Sequence, residues 1–318
     1  MLYPFFITRL PGGIGNQLFS LFASRYLAQE TGLINYLDFE GIDYSHHQDR
    51  YDISNFQLKD HEIFLELKDG KGLGAKSIQL LHNLKLQVNR RSTTLGKFLK
   101  LYDCGLEPLN SLSVSKLIND TCKRRNAAIF SSVSGYFPDF TFFDNLRNPQ
   151  DKLLRLAITS KEFQKLEQFL FTNKVLGVHI RLSDFLIHPN TIGNLSNKYF
   201  ISAIKTAVNF QDYDEVWIFS DAPKEALSRL KGYETRVRFR FIGINQVFTP
   251  CEDLFLLKNC SGIICSNSTF SFWAAKFMSE RDPSSQVYIP NSFRKDETTK
   301  IYGLPSTWHR RPVDWILG

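Results

Sequence analysis

The sequence predicts an α/β protein with two domains, each built on a parallel, doubly wound sheet. Short apolar stretches typical of buried strands alternate with stretches that have helical spacing, most regularly from residue 174 onward. This order favours parallel strands with helices on both faces of the sheet. The same order opens the chain, and 318 residues are enough for two cores. We therefore expect domains at residues 1–160 and 161–318.

Local patterns define the elements in order along the chain. Residues 5–10 form an apolar strand, residues 11–15 a glycine turn, and residues 17–30 a helix with one apolar face. A helix over residues 161–171 connects the domains. In the second half, the predicted strands are residues 174–181, 215–220, 236–242, 262–266 and 286–290, and the predicted helices are residues 198–209, 224–230, 252–259 and 270–279.

Composition excludes several classes of protein. Hydrophobic residues make up 43% of the chain and charged residues 22%, which excludes a disordered or fibrous chain. No apolar run approaches the roughly 18 residues that a membrane span needs, and the first ten residues are typical of a strand and not of a signal peptide. The five cysteines are odd in number and form no C-x-x-C pair. These features predict a reduced, cytoplasmic protein.

The excess of positive charge lies in one stretch. It contains seven basic residues and no acidic one: Lys71, Lys76, Lys85, Arg90, Arg91, Lys97 and Lys100. With those seven set aside, the 39 basic residues of the chain leave 32, which equals the number of acidic ones. A basic, partly helical stretch favours contact with an anionic membrane surface, at the inner face of the membrane, or is an ordinary solvated helix face. It offers too few aromatic residues to predict a nucleic-acid partner.

Two motifs stand at the ends of predicted strands. Gly12-Gly13-Ile14-Gly15-Asn16 follows the first strand and opens a helix, where glycines let a ligand approach the backbone and helix-start amides favour an anion. His179 and Arg181 end a second strand and point to one side of it, followed by Asp184. Arg181 has the geometry to clamp a diphosphate or to pair with a carboxylate such as Asp184.

Two further motifs carry polar groups. Glu252 and Asp253 begin a predicted helix. A run of hydroxyl and amide side chains then separates a buried strand from the next helix: Ser266, Asn267, Ser268 and Thr269. One helix cap needs only one such residue, so four together predict an anion site. Ser220 and Asp221 place polar groups at the end of another strand.

Together these motifs resemble the alpha-1,2-fucosyltransferase family, which uses GDP-L-fucose. The family's opening GGLGNQMFQYA segment is similar to GGIGNQLFSLFA at residues 12–23, and its H-x-R-R-G-D-Y signature is similar to residues 179–185. Its later elements are similar to FSDA at residues 219–222 and to EDLFLLKNCSGIICSNSTFSFWAAK at residues 252–276. Leu182 stands where the signature has its second arginine, and Arg181 keeps the first.

The resemblance implies a GT-B-like architecture of two Rossmann-like domains facing across a cleft, with the donor bound to the C-terminal domain and the acceptor to the N-terminal one. It implies that Asp253 binds the guanine edge, that Arg181 with Ser268 and Thr269 holds the diphosphate, and that the glycine turn closes on the donor. The donor-binding residues expected on this basis are Gly13, Gly15, Asn16, His179, Arg181, Asp221, Asp253, Ser266, Asn267, Ser268 and Thr269.

The implied reaction inverts the configuration at C1 of fucose and releases GDP. Its metal candidate is Asp212-Tyr213-Asp214, the only D-x-D motif, which is typical of a solvated loop. We therefore expect no metal or other cofactor, with Arg181 and helix-start amides stabilising the leaving phosphate. By motif position Asp184 is the first candidate for the general base, and Asp221 and Asp38 are the next candidates.

Two alternatives remain open at this point. One is a related GDP-deoxysugar transferase with a different linkage or acceptor. The other is a catalytically weak GDP-sugar-binding protein associated with membranes, which the basic stretch and Leu182 suggest. The main expectation is a galactoside alpha-1,2-fucosyltransferase whose acceptor is a galactose-containing oligosaccharide or glycolipid.

Overall fold

The structure is a computed structural model of the chain. It describes residues 5–10, 12–32, 34–38, 56, 62–64, 102–104, 130–133, 137–182, 190–233, 236–245 and 247–316. The basic stretch and Asp184 lie outside the described residues. The chain divides into two compact units, Met1–Arg155 and Leu156–Gly318, whereas the sequence-based boundary was placed after residue 160.

The N-terminal unit contains a parallel sheet. Its described strands are β1 (Phe5–Arg9), β2 (Ile34–Asp38), β3 (Glu62–Phe64), β4 (Tyr102–Cys104) and β5 (Phe130–Val133), and its described helices are α1 (Ile14–Thr31) and α2 (Thr141–Asp144). The strands lie in the order β3-β2-β1-β5-β4, and each pairs with its neighbour in parallel. The strand order reverses beside β1, so the glycine turn after β1 lies at the switch point of the sheet.

Helix α1 is buried along most of its length, because it packs against aromatic side chains of and beside α2. The Phe22 ring meets the Phe143 ring edge-on with centroids 4.8 Å apart, and Phe19 contacts Phe140 at 4.9 Å. Three polar side chains, one from α1 and two from the strands beneath it, bond to one another: Thr8 Oγ1 donates to Asn35 Oδ1 (3.0 Å), and Asn35 Nδ2 donates to Ser24 Oγ (2.6 Å). These bonds satisfy polar groups that would otherwise be costly to bury.

The C-terminal unit contains a second parallel sheet flanked by helices. In chain order its elements are α3 (Lys161–Thr172), β6 (Val175–Ile180), α4 (Asn197–Phe210), β7 (Glu215–Ser220), α5 (Pro223–Leu230), β8 (Arg238–Phe241), α6 (Pro250–Asn259), β9 (Gly262–Ile264), α7 (Thr269–Arg281), β10 (Gln286–Pro290) and β11 (His309–Arg311). The described strands lie in the order β11-β10-β9-β6-β7-β8, all pairing in parallel.

This order is that of a Rossmann sheet. From β6 the chain builds outward through β7 to β8, and then returns to the other side of β6 to add β9, β10 and β11. The reversal leaves a crevice outside the carboxyl ends of β6 and β9, which is where ligands bind in open α/β sheets. The predicted α/β class with parallel, Rossmann-like sheets is confirmed.

Some predicted element boundaries were wrong. The strand expected over residues 262–266 ends at Ile264, because the residues after it turn to begin α7. The strand expected over residues 236–242 is confined to Arg238–Phe241, and β11 was not predicted at all. Among the helices within the described part of the chain, none is both long enough and apolar enough to cross a membrane.

Candidate active site

The carboxyl ends of β6, β7 and β9 bring together most of the residues predicted in the second half of the chain. These three strands are neighbours in the sheet. His179 and Arg181 lie at the end of β6, Asp221 follows β7, and residues 266–269 follow β9. Parallel pairing therefore gathers at one edge of the sheet groups that are up to 90 residues apart in sequence.

Arg181 is held by Asp221. Its Nε lies 3.3 Å from Asp221 Oδ2, and both side chains are largely buried, with 16% and 15% exposed. The other carboxylate oxygen, Oδ1, accepts a hydrogen bond from the backbone N–H of Leu182 (2.9 Å). One carboxylate therefore orients both the guanidinium and the backbone that carries it, which makes Asp221 a positioning group for Arg181.

His179 is buried and neutral. Its Nδ1 lies 2.8 Å from Ser266 Oγ, and its ring stacks on Phe270 with centroids 4.9 Å apart. Burial lowers the pKa of His179 to about 3; the Asp221 carboxylate opposes this change, and the Arg181 guanidinium adds to it. The imidazole consequently carries no positive charge at neutral pH, and it joins β6 to β9 across the switch point.

The turn from Ser266 to Thr269 opens α7 with its backbone. Ser268 is the N-cap residue, yet no side-chain hydrogen bond caps the helix. The Ser271 hydroxyl donates to two carbonyl oxygens of the turn, those of Ser266 (3.3 Å) and Ser268 (3.1 Å), and so stabilises the shape of the turn. A helix start of this kind presents N–H groups and the positive end of the helix dipole, an arrangement suited to a phosphate.

Asn267 faces the protein. It is 1% exposed, and its Nδ2 donates to the backbone carbonyls of Gly193 (3.0 Å) and Ile192 (3.4 Å). Of the four polar residues in the turn, Asn267 thus ties the turn to the segment before α4, and Ser266 contacts His179.

Asp253 has a buried oxygen without a partner. Its Oδ1 has no hydrogen-bond partner in the structure. Burial, and secondarily the neighbouring Glu252 carboxylate, raise the pKa of Asp253 to about 7. An unsatisfied buried acceptor is costly to a folded protein and commonly marks a ligand contact.

Glu252 has a structural role beside it. Its side chain forms a capping box with Thr249 at the start of α6, and its Oε1 accepts a hydrogen bond from the backbone N–H of Ser160 (2.7 Å). Burial favours a higher pKa for Glu252, but hydrogen bonds from the backbone amides of Thr249 and Ser160 outweigh it and lower the pKa. Glu252 thus remains charged and joins α6 to the start of α3.

The N-terminal glycine turn has the predicted helix-start geometry. Gly12 has φ of +64°, a left-handed conformation that favours glycine, and a Cβ there would lie 2.9 Å from Asn16 Nδ2. Gly13 is the N-cap residue of α1, and no side chain caps the helix. The carbonyl of Gly13 accepts from the backbone N–H groups of Asn16 (2.9 Å) and Gln17 (3.1 Å), and Gly15 is buried in the first turn.

The remaining candidate carboxylates lie elsewhere. Asp212 is 94% exposed and pairs with Arg236 (3.0 Å), and Asp214 accepts from the backbone N–H of Lys174 (2.7 Å). Asp38 is the last residue of β2 in the N-terminal unit. Within the described ranges, no group of three or more His, Cys, Asp or Glu side chains is arranged to hold a metal ion.

Comparison with known proteins identifies the family. Residues 134–302 match the model of glycosyl transferase family 11, which spans β6 to β10 and every site residue described above in the C-terminal unit. The chain belongs to glycosyl transferase family 11. It is therefore a glycosyltransferase, and the resemblance to the fucosyltransferase family is confirmed.

Curated relatives of this glycosyltransferase are distant. The chain is 23% identical over 286 residues to the O-antigen biosynthesis glycosyltransferase WbnK of Escherichia coli, an alignment that covers 84% of this chain and 88% of the relative. It is 21% identical over 310 residues to an alpha-1,2-colitosyltransferase of Escherichia coli, covering 96% and 98%. The fold is also similar to the crystal structure of fucosyltransferase NodZ from Bradyrhizobium. The superposition covers 86% of this chain and 93% of the NodZ chain, with 17% sequence identity and a TM-score of 0.44.

Leu182 stands where the family signature has its second arginine, and its surroundings account for this difference. Its side chain is fully buried in the core that α4 forms with the sheet, among Leu195, Tyr199 and Ile180. A guanidinium at this position would enter an apolar core instead of the crevice. The departure from the family signature is therefore accommodated by packing.

We expect Leu182→Arg to destabilise the protein without increasing turnover. Burying an unpaired guanidinium costs several kcal/mol, so the melting temperature should fall by about 6 °C or more. Differential scanning fluorimetry measures this loss, with Leu182→Met as the control that keeps the volume and adds no charge. A Leu182→Arg variant with unchanged melting temperature and higher turnover would contradict the assignment of Leu182 to the core.

Sequence reasoning missed three site contacts. Phe270 stacks on His179, Asp221 holds Arg181, and Glu252 binds Ser160. Only Glu252 had a local signal, the Thr249-x-x-Glu252 spacing of a capping box. The other two contacts join residues of separate elements that are distant in the chain, and no spacing in a single sequence indicates them.

Proposed function

We propose that this glycosyltransferase transfers L-fucose from GDP-β-L-fucose to the 2-hydroxyl of a galactose in a glycan, with inversion at C1 and without a metal. The observation that carries the proposal is the buried, unpartnered Oδ1 of Asp253 in the first turn of α6. Guanine presents two adjacent donors, N1–H and the N2 amino group, and a carboxylate accepts both. The alpha-1,2 linkage formed by the colitosyltransferase relative supports a 1,2 linkage here.

The diphosphate is assigned to the switch point of the second sheet. Arg181, fixed by Asp221, supplies a positive charge, and residues 268–269 supply the backbone start of α7. The hydrogen bond between His179 and Ser266 joins the ends of β6 and β9, and this pair carries no net charge. Gly13, Gly15 and Asn16 of the N-terminal unit remain predicted donor contacts, with the acceptor assigned to that unit.

The reaction is a single displacement. The acceptor oxygen forms a bond to C1 of fucose as the bond from C1 to the β-phosphate oxygen breaks, and that bonding pair leaves with GDP. The acceptor proton passes to a carboxylate, for which Asp184 is proposed from its place in the signature. Arg181 and the α7 amides stabilise the charge that grows on the β-phosphate, so the residues present supply the role that a divalent metal has in other transferases.

GDP release tests the proposal directly. GDP-L-fucose is mixed with a galactoside acceptor, lactose or lacto-N-biose, with and without EDTA. We expect turnover that survives EDTA and an α-1,2 linkage by NMR of the product. If GDP itself binds, saturation at about 100 times Kd adds roughly 2.7 kcal/mol and raises the melting temperature by several degrees. An unchanged melting temperature in the presence of GDP would refute the proposed donor site.

A second candidate is transfer of a different deoxyhexose from a GDP donor. It is favoured by the name of the colitosyltransferase relative, which covers 96% of this chain. A donor panel against one acceptor separates the two candidates, since the preferred donor shows the higher kcat/KM. A protein that binds GDP and turns over no donor would instead support the third alternative, a GDP-sugar-binding protein.

Membrane association remains a proposal that rests on the sequence. The seven basic residues of the stretch from residue 71 to residue 100 would attract anionic lipid by about 1 kcal/mol each when they lie near the surface. Co-sedimentation with vesicles that contain or lack phosphatidylglycerol tests it. Binding that is indifferent to anionic lipid would contradict it. Nucleic acid is not proposed as a partner.

A further inference from the structure

Side chains of α3, α6 and α7 meet around Lys258 in the C-terminal unit. Lys258 lies in the last turn of α6, and its side chain is half-buried. Its Nζ lies 3.6 Å from the centre of the Phe255 ring and 5.7 Å from that of the Phe277 ring on α7. Two aromatic rings thus take the place of water over part of the amine.

The charged groups that influence Lys258 are bound to other partners. Glu167 Oε1 on α3 accepts a hydrogen bond from Asn259 Nδ2 (3.5 Å). Arg281, the last residue of α7, donates to Asn259 Oδ1 (2.8 Å) and to the Cys260 carbonyl (3.1 Å). Within the described part of the chain, no carboxylate forms an ion pair with Lys258. The cluster therefore holds a guanidinium near the amine without supplying a counter-ion in contact with it.

These surroundings favour the neutral form of the amine. Burial lowers the pKa of Lys258 to about 8; the Arg281 guanidinium adds to this change, and the Glu167 carboxylate opposes it. At pH 7 about one tenth of the Lys258 side chains are then neutral, against about one in 2,500 for an ordinary lysine with a pKa of about 10.4. The neutral amine, with its free lone pair, is the form of lysine that acts as a nucleophile.

We propose that Lys258 is a site of acylation by a small acyl phosphate. The lone pair of Nζ attacks the carbonyl carbon of the acyl phosphate, and an amide bond forms. The bond from that carbon to the phosphate oxygen breaks, inorganic phosphate leaves with the bonding pair, and the proton of the amine passes to water. The site selects this class of reagent because Arg281 is exposed and attracts an anion, whereas the packed helices restrict access to small molecules.

The amide product suits the site better than the ammonium group does. It carries no charge, so acylation removes both the cost of burying the charge and the repulsion by Arg281. The methylene stem of Lys258 can keep its contact with the Phe255 ring. Acylation at this position is therefore expected not to lower the melting temperature, and Lys258→Gln, which resembles the product, should melt no lower than wild type.

The test measures acetylation of the full chain by acetyl phosphate, with peptide mass spectrometry to give the rate at each lysine. Lys165 on α3 is the internal control, because its side chain is 77% exposed and pairs with Glu162. At pH 7 we expect the initial rate at Lys258 to exceed that at Lys165 at least about tenfold. The rate at Lys258 should reach half its maximum near pH 8, whereas the rate at Lys165 should still be rising at pH 10.

Arg281→Gln tests the contribution of the neighbouring charge. Loss of the guanidinium should lower the rate at Lys258 at pH 7 and leave the rate at Lys165 unchanged. A rate at Lys258 no higher than that at Lys165, or one that still rises at pH 10, overturns the proposal. Should Arg281→Gln fail to fold, the pH profile of the wild-type protein decides alone. Neither measurement involves GDP or a sugar, so failure of the proposed function would leave this inference unaffected.

Discussion

Replacing Arg181 with alanine should lower kcat at least about a hundredfold, a loss of about 3 kcal/mol of transition-state stabilisation. The reason is electrostatic. Arg181 is largely buried at the switch point, and its orientation is set by Asp221. It follows β6, and the neighbouring strand β9 leads into the start of α7, which no side chain caps. In such a water-poor site a fixed cation stabilises the leaving β-phosphate far better than it would in water.

Steady-state GDP release measures this effect, and two variants frame it. Arg181→Lys keeps the charge but loses the planar fork, so a partial loss is expected. Arg240→Ala removes an arginine from β8 of the same sheet, one that pairs with Glu215 through two bonds and stacks over Trp217. The Arg240→Ala variant should have a normal kcat when turnover is measured at a temperature at which the variant is fully folded. Near-normal kcat in Arg181→Ala would refute the assignment of the diphosphate site.

The second large effect is expected for Asp253→Asn, which should weaken GDP binding at least about a hundredfold. An asparagine offers guanine one acceptor and one donor, so its amino group would face the N2 amino group of the base without a partner. Xanthine carries an oxygen at that position. The Asp253→Asn variant should therefore prefer XDP over GDP, reversing the preference of the wild-type protein.

The pKa of Asp253 gives this site a pH dependence with a definite sign. Burial raises the pKa to about 7 in the free protein, and only the carboxylate accepts both guanine donors. GDP binding by wild-type protein should thus weaken about tenfold from pH 8 to pH 6, because protonation competes with the base. The Asp253→Asn variant should not show this dependence.

The stability of the free protein should show the opposite trend. The folded state binds a proton at Asp253 up to pH 7, whereas an unfolded aspartate has released it by about pH 4. The free energy of unfolding therefore falls as pH rises through this window, and Asp253→Asn should be more stable than wild type at pH 8. Asp212→Asn is the control, since its side chain is 94% exposed. Isothermal titration and thermal denaturation at pH 6 and pH 8 check both trends, and a pH-independent Kd would exclude Asp253 from the guanine site.

Several features of this protein were predictable from sequence because they are local. Alternating strand and helix patterns predicted both parallel sheets, and the run of residues from Ser266 to Thr269 predicted a polar turn before a helix. The glycine turn before α1 was predicted from the run of glycines between a strand pattern and a helix pattern, and Gly12 has a positive φ in the structure. The family resemblance rested on these same contiguous motifs and on their order along the chain.

Other features depended on partners far away in sequence. The sequence showed Asp221 and Asn267 as polar residues at strand ends, where a ligand contact and a structural contact look alike. Their partners, Arg181 and Gly193, lie 40 and 74 residues away. The choice between the two interpretations therefore needed the coordinates.

The amino-acid sequence by itself determined the parallel α/β class, the polar strand ends and the family, because each depends on periodicity or on contiguous residues. Only the tertiary structure decided that Leu182 belongs to the core, that Asp253 has a buried oxygen without a partner, and that Asn267 binds the backbone before α4. The physical reason is that burial and hydrogen-bond satisfaction are properties of packed neighbours. The order of the strands in the parallel sheet decides which residues become neighbours, and that order is a property of the whole fold.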